Sequence, residues 1–149
     1  MMKEISNPPP GQNNVSPYLV VKNASGLLDF IKEVFNGEEG VVMRGPDNIV
    51  MHGEARIGES VIMLADACER VTVQPARLHV YVADVDATYQ RALAAGATSE
   101  NEPADQFYGD RSAGVHDPFG ITWFMATHVE DVPPEELEKR HNEMTKGSE

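Results

Sequence analysis

The chain has 149 residues, of which 41% are hydrophobic, and a formal net charge of −12. This length fits one domain or two small modules that share a core, and the hydrophobic fraction excludes a disordered chain. The lysines and arginines are scattered and outnumbered by acidic residues, so nucleic acid and anionic membranes are poor candidates for a partner.

The sequence also carries no sign of export or of membrane insertion. No apolar run reaches the roughly 20 residues that a membrane-spanning helix needs, and the first ten residues lack the apolar stretch of a secretory signal. We therefore expect a cytoplasmic protein. Cys68 is the single cysteine, which excludes an internal disulfide. One interpretation is a reactive thiol beside Arg70, and the favoured interpretation is a spare thiol in a connector.

The first module is predicted over residues 15–68. Before it, residues 1–14 are rich in Pro, Asn and Gly without periodicity, which predicts a flexible tail. A β-rich run at 18–21 precedes a helix over 24–35, with Asn23 as its N-cap. Three strands are predicted after this helix, over 38–44, 49–57 and 60–66.

A second module, 76–130, follows a connector at 69–75 and repeats this order. Its predicted elements are a strand at 78–82, a helix over 85–95 that Asp84 caps, and strands at 97–102, 110–116 and 121–127. The sequence Asp117-Pro118-Phe119-Gly120 fits a type I turn between the last two strands. Residues 131–149 are predicted to form a short terminal helix and a tail.

The repeated order predicts the fold class. An offset of 61 positions places Asn23 on Asp84 and Val21 on Val82. One module cannot bury both faces of its sheet, whereas two can, if each helix covers one face and the other faces curve around a shared space. We therefore predict an α+β fold of paired βαβββ modules that form a curved sheet around a central cavity.

Strand alternation separates the residues under each helix from those on the opposite side, here called the open face. Apolar residues are assigned to the helix side: Met51, Ala55, Leu78, Val80, Trp123 and Met125. The open faces are assigned Ser16, Tyr18, Val20, His52, Glu54, Arg56, Ile62, Leu64, Arg77, His79, Tyr81 and Phe124. This mixture is typical of a ligand pocket, and a solvated sheet face is the alternative. The number of aromatic and aliphatic side chains favours the pocket.

A set of candidate ligand-binding residues follows from this assignment: Tyr18, His52, Glu54, Arg77, His79, Tyr81 and Phe124. Three of them, Tyr18, Tyr81 and Phe124, are expected to supply a stacking surface. Glu54 and His79 are expected to orient the polar groups of a ligand, and they are also the candidates for a catalytic role because either could move a proton.

Six ordered segments carry a family resemblance that covers roughly residues 15–135. They are PYLVV at 17–21, HGEARIGES at 52–60, VADVDA at 82–87, DQFYGDR at 105–111, HDPFG at 116–120 and THVED at 127–131. Together they resemble the PhnB-like branch of the vicinal oxygen chelate superfamily, the class of glyoxalases, bleomycin resistance proteins and dioxygenases. The resemblance implies a paired βαβββ fold and a homodimer.

The resemblance also implies where a metal would bind. Enzymes of this superfamily hold a divalent metal with His, Gln or Glu side chains on the first and last strands of each module. The matching positions here are Ser16, Ile62, Arg77 and Phe124, and only Ser16 offers even a weak ligand, so we expect neither the usual metal centre nor another cofactor. A displaced divalent metal site of His52, Glu54 and His79 is the alternative. The favoured reading is that the His52 and Glu54 side chains hydrogen-bond each other or orient an organic ligand.

Two functions remain open from the sequence. The first is a binding protein that sequesters or carries a small, partly aromatic organic molecule without a metal. The second is a lyase, isomerase or dioxygenase-type enzyme that uses a displaced metal or acid–base chemistry at His79 or Glu54.

Overall fold

The computed structural model describes residues 4–147 and divides the chain into two compact units after Ala76. Unit 1 contains β1 (Tyr18–Val21), α1 (Ala24–Phe35), β2 (Glu38–Arg44), β3 (Val50–Ile57) and β4 (Ser60–Asp66). Unit 2 contains β5 (Ala76–Tyr81, whose first residue lies at the boundary), α2 (Val85–Ala94), β6 (Thr98–Asp105), β7 (Asp110–His116), β8 (Ile121–His128) and α3 (Pro134–Lys146). Both units have the predicted βαβββ order. The first three residues of the predicted tail and the last two of the C-terminal segment lie outside the described residues.

Each unit is built on one four-stranded sheet. The strand order is β1-β4-β3-β2 in unit 1 and β5-β8-β7-β6 in unit 2. In unit 1, β1 pairs with β4 in parallel, and β3 pairs with both β4 and β2 in an antiparallel manner. In unit 2, β7 pairs with both β6 and β8 in an antiparallel manner. The mixed sheets with separate helices confirm the predicted α+β class. That the two open faces enclose one space stays a prediction.

The core of unit 1 lies between α1 and its sheet. Apolar residues recur at helical spacing in α1, and the helix packs on β2, β3 and β4. Its fully buried side chains include Leu27, Leu28, Ile31 and Val34. Burial of one such side chain contributes roughly 1.5–3 kcal/mol, so this face holds α1 on the sheet.

The core of unit 2 depends more on the sheet than on the helix. On α2 the buried positions are Val85, Thr88, Tyr89 and Ala92, most of which are small. Trp123 of β8 is 0% exposed and fills the space beneath the helix together with other buried side chains of the sheet. Large and small residues thus complement each other across the interface, as close packing requires.

The two predicted helix caps are confirmed. Oδ1 of Asn23 accepts from the amide of Gly26, and Oδ1 of Asp84 accepts from the amide of Ala87. Each such cap contributes about 1 kcal/mol. The amide of the first residue of each helix is hydrogen-bonded by a side chain of the strand that comes last in the chain order of that unit. Asp66 accepts from the amide of Ala24, and Oγ1 of Thr127 accepts from that of Val85. All these pairs obey the offset of 61 positions, which supports the internal repeat.

Met51 does not lie under the helix as the sequence predicted. In the β2–β3 ladder Met43 pairs with His52, whereas Arg44 pairs with Val50, so Met51 is an extra residue in a β-bulge. The bulge reverses the alternation at this end of β3. Val50 is therefore fully buried on the helix side, and Met51 is 65% exposed.

The assignment of Ile62 and Leu64 to the open face is also wrong. The two-residue turn pairs Ile57 with Ser60 and Ala55 with Ile62, so odd positions of β3 share a face with even positions of β4. Because directly paired residues point to the same side of a sheet, Ile62 and Leu64 lie under α1 with Ala55. Both are buried.

The remaining residues assigned to the helix side are removed from solvent to different extents. Ala55, Trp123 and Met125 are buried, whereas Leu78 and Val80 of the edge strand β5 are half-buried. The terminal helix α3 adds no buried residue to the core, and Nη1 of Arg140 fixes it to the carbonyl of Phe107. Between residues 4 and 147, no helix is long and apolar enough to cross a membrane.

Candidate functional site

In unit 1 a chain of polar contacts runs over the open face. Directly paired positions place Tyr18 of β1 and Glu54 of β3 on either side of Met63. The Tyr18 hydroxyl lies 3.3 Å from Nδ1 of His52, and Nε2 of the same ring lies 3.1 Å from Oε2 of Glu54. The imidazole thus joins a phenol to a carboxylate. The sequence had placed these three side chains on one face, and the structure brings them into contact.

The residues before β1 contribute a fourth member, which the sequence analysis missed. Nε2 of Gln12 donates to Oε1 of Glu54 at 2.8 Å. Two further hydrogen bonds hold this segment: Nη2 of Arg56 donates to the carbonyl of Gly11, and Nδ2 of Asn13 donates to that of Val61. Its polar composition indicates a tail, and no local pattern reveals which strand residues it meets.

The electrostatics of this group keep Glu54 ionised. The hydrogen bond from Gln12, followed by that from His52, lowers the pKa of the Glu54 carboxyl, and partial burial opposes the shift. A carboxylate that accepts several hydrogen bonds is stabilised in its charged form. Glu54 is therefore an acceptor for cations and N–H donors at neutral pH.

Next to this group, unit 1 contains a cleft of about 410 Å³. Its wall is mainly apolar and includes Tyr18, Val20, Ile49, Met51, Ala65 and Val71, with Arg70 and Cys68 also present. Tyr18 belongs to both features: its side chain lines the cleft, and its ring centroid lies 5.7 Å from that of His52 in the polar group. Met51 reaches the cleft because of the bulge, a feature that alternation alone could not predict.

In unit 2 the predicted residues of β5 and β8 also lie on the open face. The guanidinium carbon of Arg77 lies 4.6 Å from the centre of the Phe124 ring, a cation–π contact. The same guanidinium is held by both carboxylate oxygens of Glu100, at 3.3 and 3.1 Å. Further along β5, the rings of His79 and Tyr81 are 4.9 Å apart.

Two of these side chains line a second cleft, of about 400 Å³. His79 and Phe124 line it together with Tyr108 and the polar side chains Asn101, Glu102, Gln106 and Ser112. Compared with the cleft of unit 1, its wall offers more hydrogen-bonding groups. Aromatic surface beside a few polar groups is the usual composition of a small-molecule site.

A second group missed by the sequence analysis surrounds Asp110. This residue is 3% exposed. Its Oδ2 accepts from the Tyr81 hydroxyl at 2.9 Å, and its Oδ1 lies 2.8 Å from Nδ1 of His128. Nε2 of that imidazole lies 2.7 Å from Asp131. The pairing of Asp110 with His128 across β7 and β8 brings the group together, so strand register, which is not local, was the missing signal.

The Asp110 group changes the acid–base properties of its neighbours. Its hydrogen bond raises the pKa of the Tyr81 hydroxyl, so that phenol remains protonated at neutral pH. Hydrogen bonds to Asp110 and then to Asp131 raise the pKa of His128. The group can therefore hold a proton on the imidazole and fix the position of the Tyr81 ring.

The positions that the family uses for a metal do not fit one here. Arg77 is a cation already bound by Glu100, Phe124 offers only a ring, and Ile62 is an aliphatic side chain buried under α1. A divalent ion needs three or more oxygen, nitrogen or sulfur donors around one point. In the part of the chain that the structure describes, no three His, Cys, Asp or Glu side chains are grouped to hold a metal.

Comparison with known proteins agrees with this architecture. The model of the Glyoxalase/Bleomycin resistance protein/Dioxygenase superfamily matches residues 13–125. An uncharacterized protein of Mycobacterium tuberculosis is 37% identical over 135 residues, which cover 83% of this chain and 79% of the mycobacterial one.

Two solved structures share the fold at low sequence identity. TioX from Micromonospora sp. ML1 has a TM-score of 0.66 and 23% identity, over 78% of this chain and 99% of TioX. A PhnB protein from Bacillus cereus, described as a putative 3-demethylubiquinone-9 3-methyltransferase, has a TM-score of 0.63 and 16% identity, over 77% of this chain and 99% of that one. The extent of the family match decides the assignment: the chain belongs to the glyoxalase, bleomycin resistance protein and dioxygenase superfamily.

Proposed function

We propose that this protein binds or sequesters a small, partly aromatic organic molecule, without a metal, in the cytoplasm. Within its superfamily we place it in the PhnB-like branch, on the sequence pattern and with the Bacillus cereus PhnB structure as support. The proposal concerns the open faces of both sheets and the seven residues named for them.

One observation carries the proposal: each open face presents a tyrosine whose hydroxyl contacts one member of a hydrogen-bonded imidazole–carboxylate pair. Tyr18 contacts His52, which contacts Glu54, and Tyr81 contacts Asp110, which contacts His128. The two tyrosines are 49% and 63% exposed. A ring that is held at its hydroxyl and about half exposed or more is a preorganised stacking surface.

The energetics favour an aromatic ligand at such a surface. An aromatic pair contributes about 0.5–1.5 kcal/mol beyond the burial of its area. Because the hydroxyls are already bound, stacking costs little additional side-chain entropy. The clefts of about 410 and 400 Å³ have the size of small-molecule pockets.

Glu54 suits binding better than proton transfer. A general acid or base works best with a pKa near the working pH, whereas the hydrogen bonds from Gln12 and His52 lower the pKa of Glu54. The enzymatic alternative, a lyase or isomerase, instead finds support in the contacts from Tyr81 through Asp110 to His128. That alternative would be favoured if the protein turns over a bound ligand and if Tyr81→Phe abolishes this turnover while the ligand still binds.

The proposal is tested with protein dialysed against EDTA and with indole, quinoline and 2-naphthol as aromatic probes. We expect saturation-transfer NMR signals for at least one probe. These signals should weaken in Tyr18→Ala if the probe binds in unit 1, and in Tyr81→Ala and Phe124→Ala if it binds in unit 2. Met144→Ala removes an exposed apolar side chain from α3 and serves as the control that keeps the signal. Equal signals in all five proteins would contradict the proposal. So would about one metal per chain that is lost in His79→Ala, measured by elemental analysis.

A further inference from the structure

The donor position in front of Glu54 is occupied by the chain itself. Gln12 lies in the segment that hydrogen bonds of Gly11 and Asn13 hold against β3 and β4, and its Nε2 donates to Oε1 of Glu54 at 2.8 Å. Since His52 takes the other carboxylate oxygen, Oε1 is where an additional N–H group would bind.

Within residues 4–147, the Gln12 side-chain amide lacks one of its hydrogen bonds in this position. Its Oε1 is buried and has no hydrogen-bond partner among the described residues, and the same holds for Oγ of Ser16 in the same segment. Rotating the amide would turn its oxygen toward the Glu54 carboxylate, so the orientation is dictated by the charge of Glu54. A buried acceptor without a donor is destabilising, and release of Gln12 to water would restore its hydrogen bonds.

The carboxylate and the apolar cleft of unit 1 meet at Tyr18. Its hydroxyl contacts His52, which holds Glu54, and its side chain lines the cleft of about 410 Å³. A ligand with an apolar body in the cleft could therefore direct a polar group along Tyr18 toward Glu54. The anionic state of that carboxylate and the net charge of −12 both favour a cation over an anion.

We propose that Gln12 is an internal competitor for the ligand at Glu54, and that the ligand displacing it is an aromatic cation with N–H donors, of the amidinium type. This inference rests on the proposed function and specifies it for unit 1. The ring stacks on Tyr18, and the cationic nitrogen replaces Nε2 of Gln12 at Oε1 of Glu54. The charge-assisted hydrogen bond is stronger than the amide bond that it replaces.

Three probes with the same ring and different substituents test this inference: 4-aminobenzamidine, 4-aminobenzamide and 4-aminobenzoate. Their dissociation constants are measured by NMR titration with the full chain. We expect the amidine to bind most tightly and the benzoate most weakly. Gln12→Ala should tighten amidine binding by about fivefold, because it removes a competing hydrogen bond.

Two further variants distinguish displacement of Gln12 by the ligand from effects that any glutamine substitution or loss of stability would have. Glu54→Gln keeps a partner for His52 but removes the charge, and it should weaken amidine binding about tenfold while leaving the benzoate unaffected. Gln90→Ala removes an exposed glutamine from α2 and should change nothing. Circular dichroism establishes that each variant is folded.

The outcomes distinguish the inference from the proposed function. Unchanged or weaker amidine binding in Gln12→Ala would overturn the inference. Equal binding of the three probes to the wild type and to Glu54→Gln would also overturn it, while leaving the binding of aromatic molecules intact. Binding of none of the probes by the folded protein, together with no signal for indole, quinoline and 2-naphthol, would overturn both.

Discussion

Two neighbouring residues, Trp123 and Phe124, have opposite roles in β8. Trp123 is fully buried beneath α2, and its indole nitrogen donates to Oδ2 of Asp117 at 2.8 Å. The same carboxylate accepts from the amides of Phe119 and Ile121, so it organises the turn that the sequence predicted. Phe124 lies on the open face and contacts Arg77.

This difference predicts how truncation of each ring affects stability. Trp123→Ala should lower the free energy of unfolding by about 3–5 kcal/mol, since it leaves a cavity and an unpaired acceptor on Asp117. Phe124→Ala should cost much less, because its ring is part of the cleft wall. Thermal unfolding of both variants beside the wild type measures this difference. If Phe124→Ala melts as early as Trp123→Ala, the assignment of the two faces of β8 is wrong.

Among the secondary-structure elements, the imidazole of His128 connects the ends of two strands with the segment that leads to α3. His128 ends β8, and it contacts Asp110 at the start of β7 and Asp131 in the segment that leads to α3. Ion pairs at exposed positions contribute little by themselves. Here, however, one partner is a buried carboxylate that also holds Tyr81, so the protonation of His128 bears on the position of that ring.

The raised pKa of His128 predicts a pH dependence of stability. A histidine whose pKa is raised on folding stabilises the folded state fully below its ordinary value near 6.5. That contribution disappears as the pH rises through the pKa of the folded protein. The stability of the wild type should therefore exceed that of His128→Asn most at pH 6, and the difference should shrink toward pH 9. Urea unfolding midpoints across this range measure it, and a constant difference would contradict the contacts described for His128.

At the scale of the whole molecule, the oligomeric state stays a prediction. The sequence resemblance implies a homodimer, and each unit has a small core. Unit 1 also leaves several large apolar side chains more than half exposed, among them Val41, Met43 and Met51. Association with a second copy is one way to remove such apolar surface from water.

We therefore expect light scattering to give twice the 16.4 kDa mass of one chain at micromolar concentration. Charged variants at the exposed positions, Met43→Lys and Val41→Lys, should favour the monomer if this surface forms the contact. Gln90→Lys on the exposed side of α2 adds the same single positive charge and serves as the control. A mass of 16.4 kDa for the wild type would refute the homodimer.

Local sequence patterns were sufficient to predict the helices and strands and their order. Helical periodicity in α1, the caps at Asn23 and Asp84 and the turn after Asp117 are local features, and each depends on residues within a few positions. The βαβββ repeat, the burial of Trp123 and the contact between His52 and Glu54 all followed from such local patterns.

The register between these elements could be established only from the folded chain. A one-residue bulge moved Met51 to the opposite face of β3. The two-residue turn between β3 and β4 pairs odd positions of β3 with even positions of β4, which moved Ile62 to the helix side. Gln12 meets Glu54 across 42 positions, and Tyr81 meets Asp110 across 29. Such contacts depend on strand register and on the path of the chain, and neither is encoded in the periodicity of a single segment.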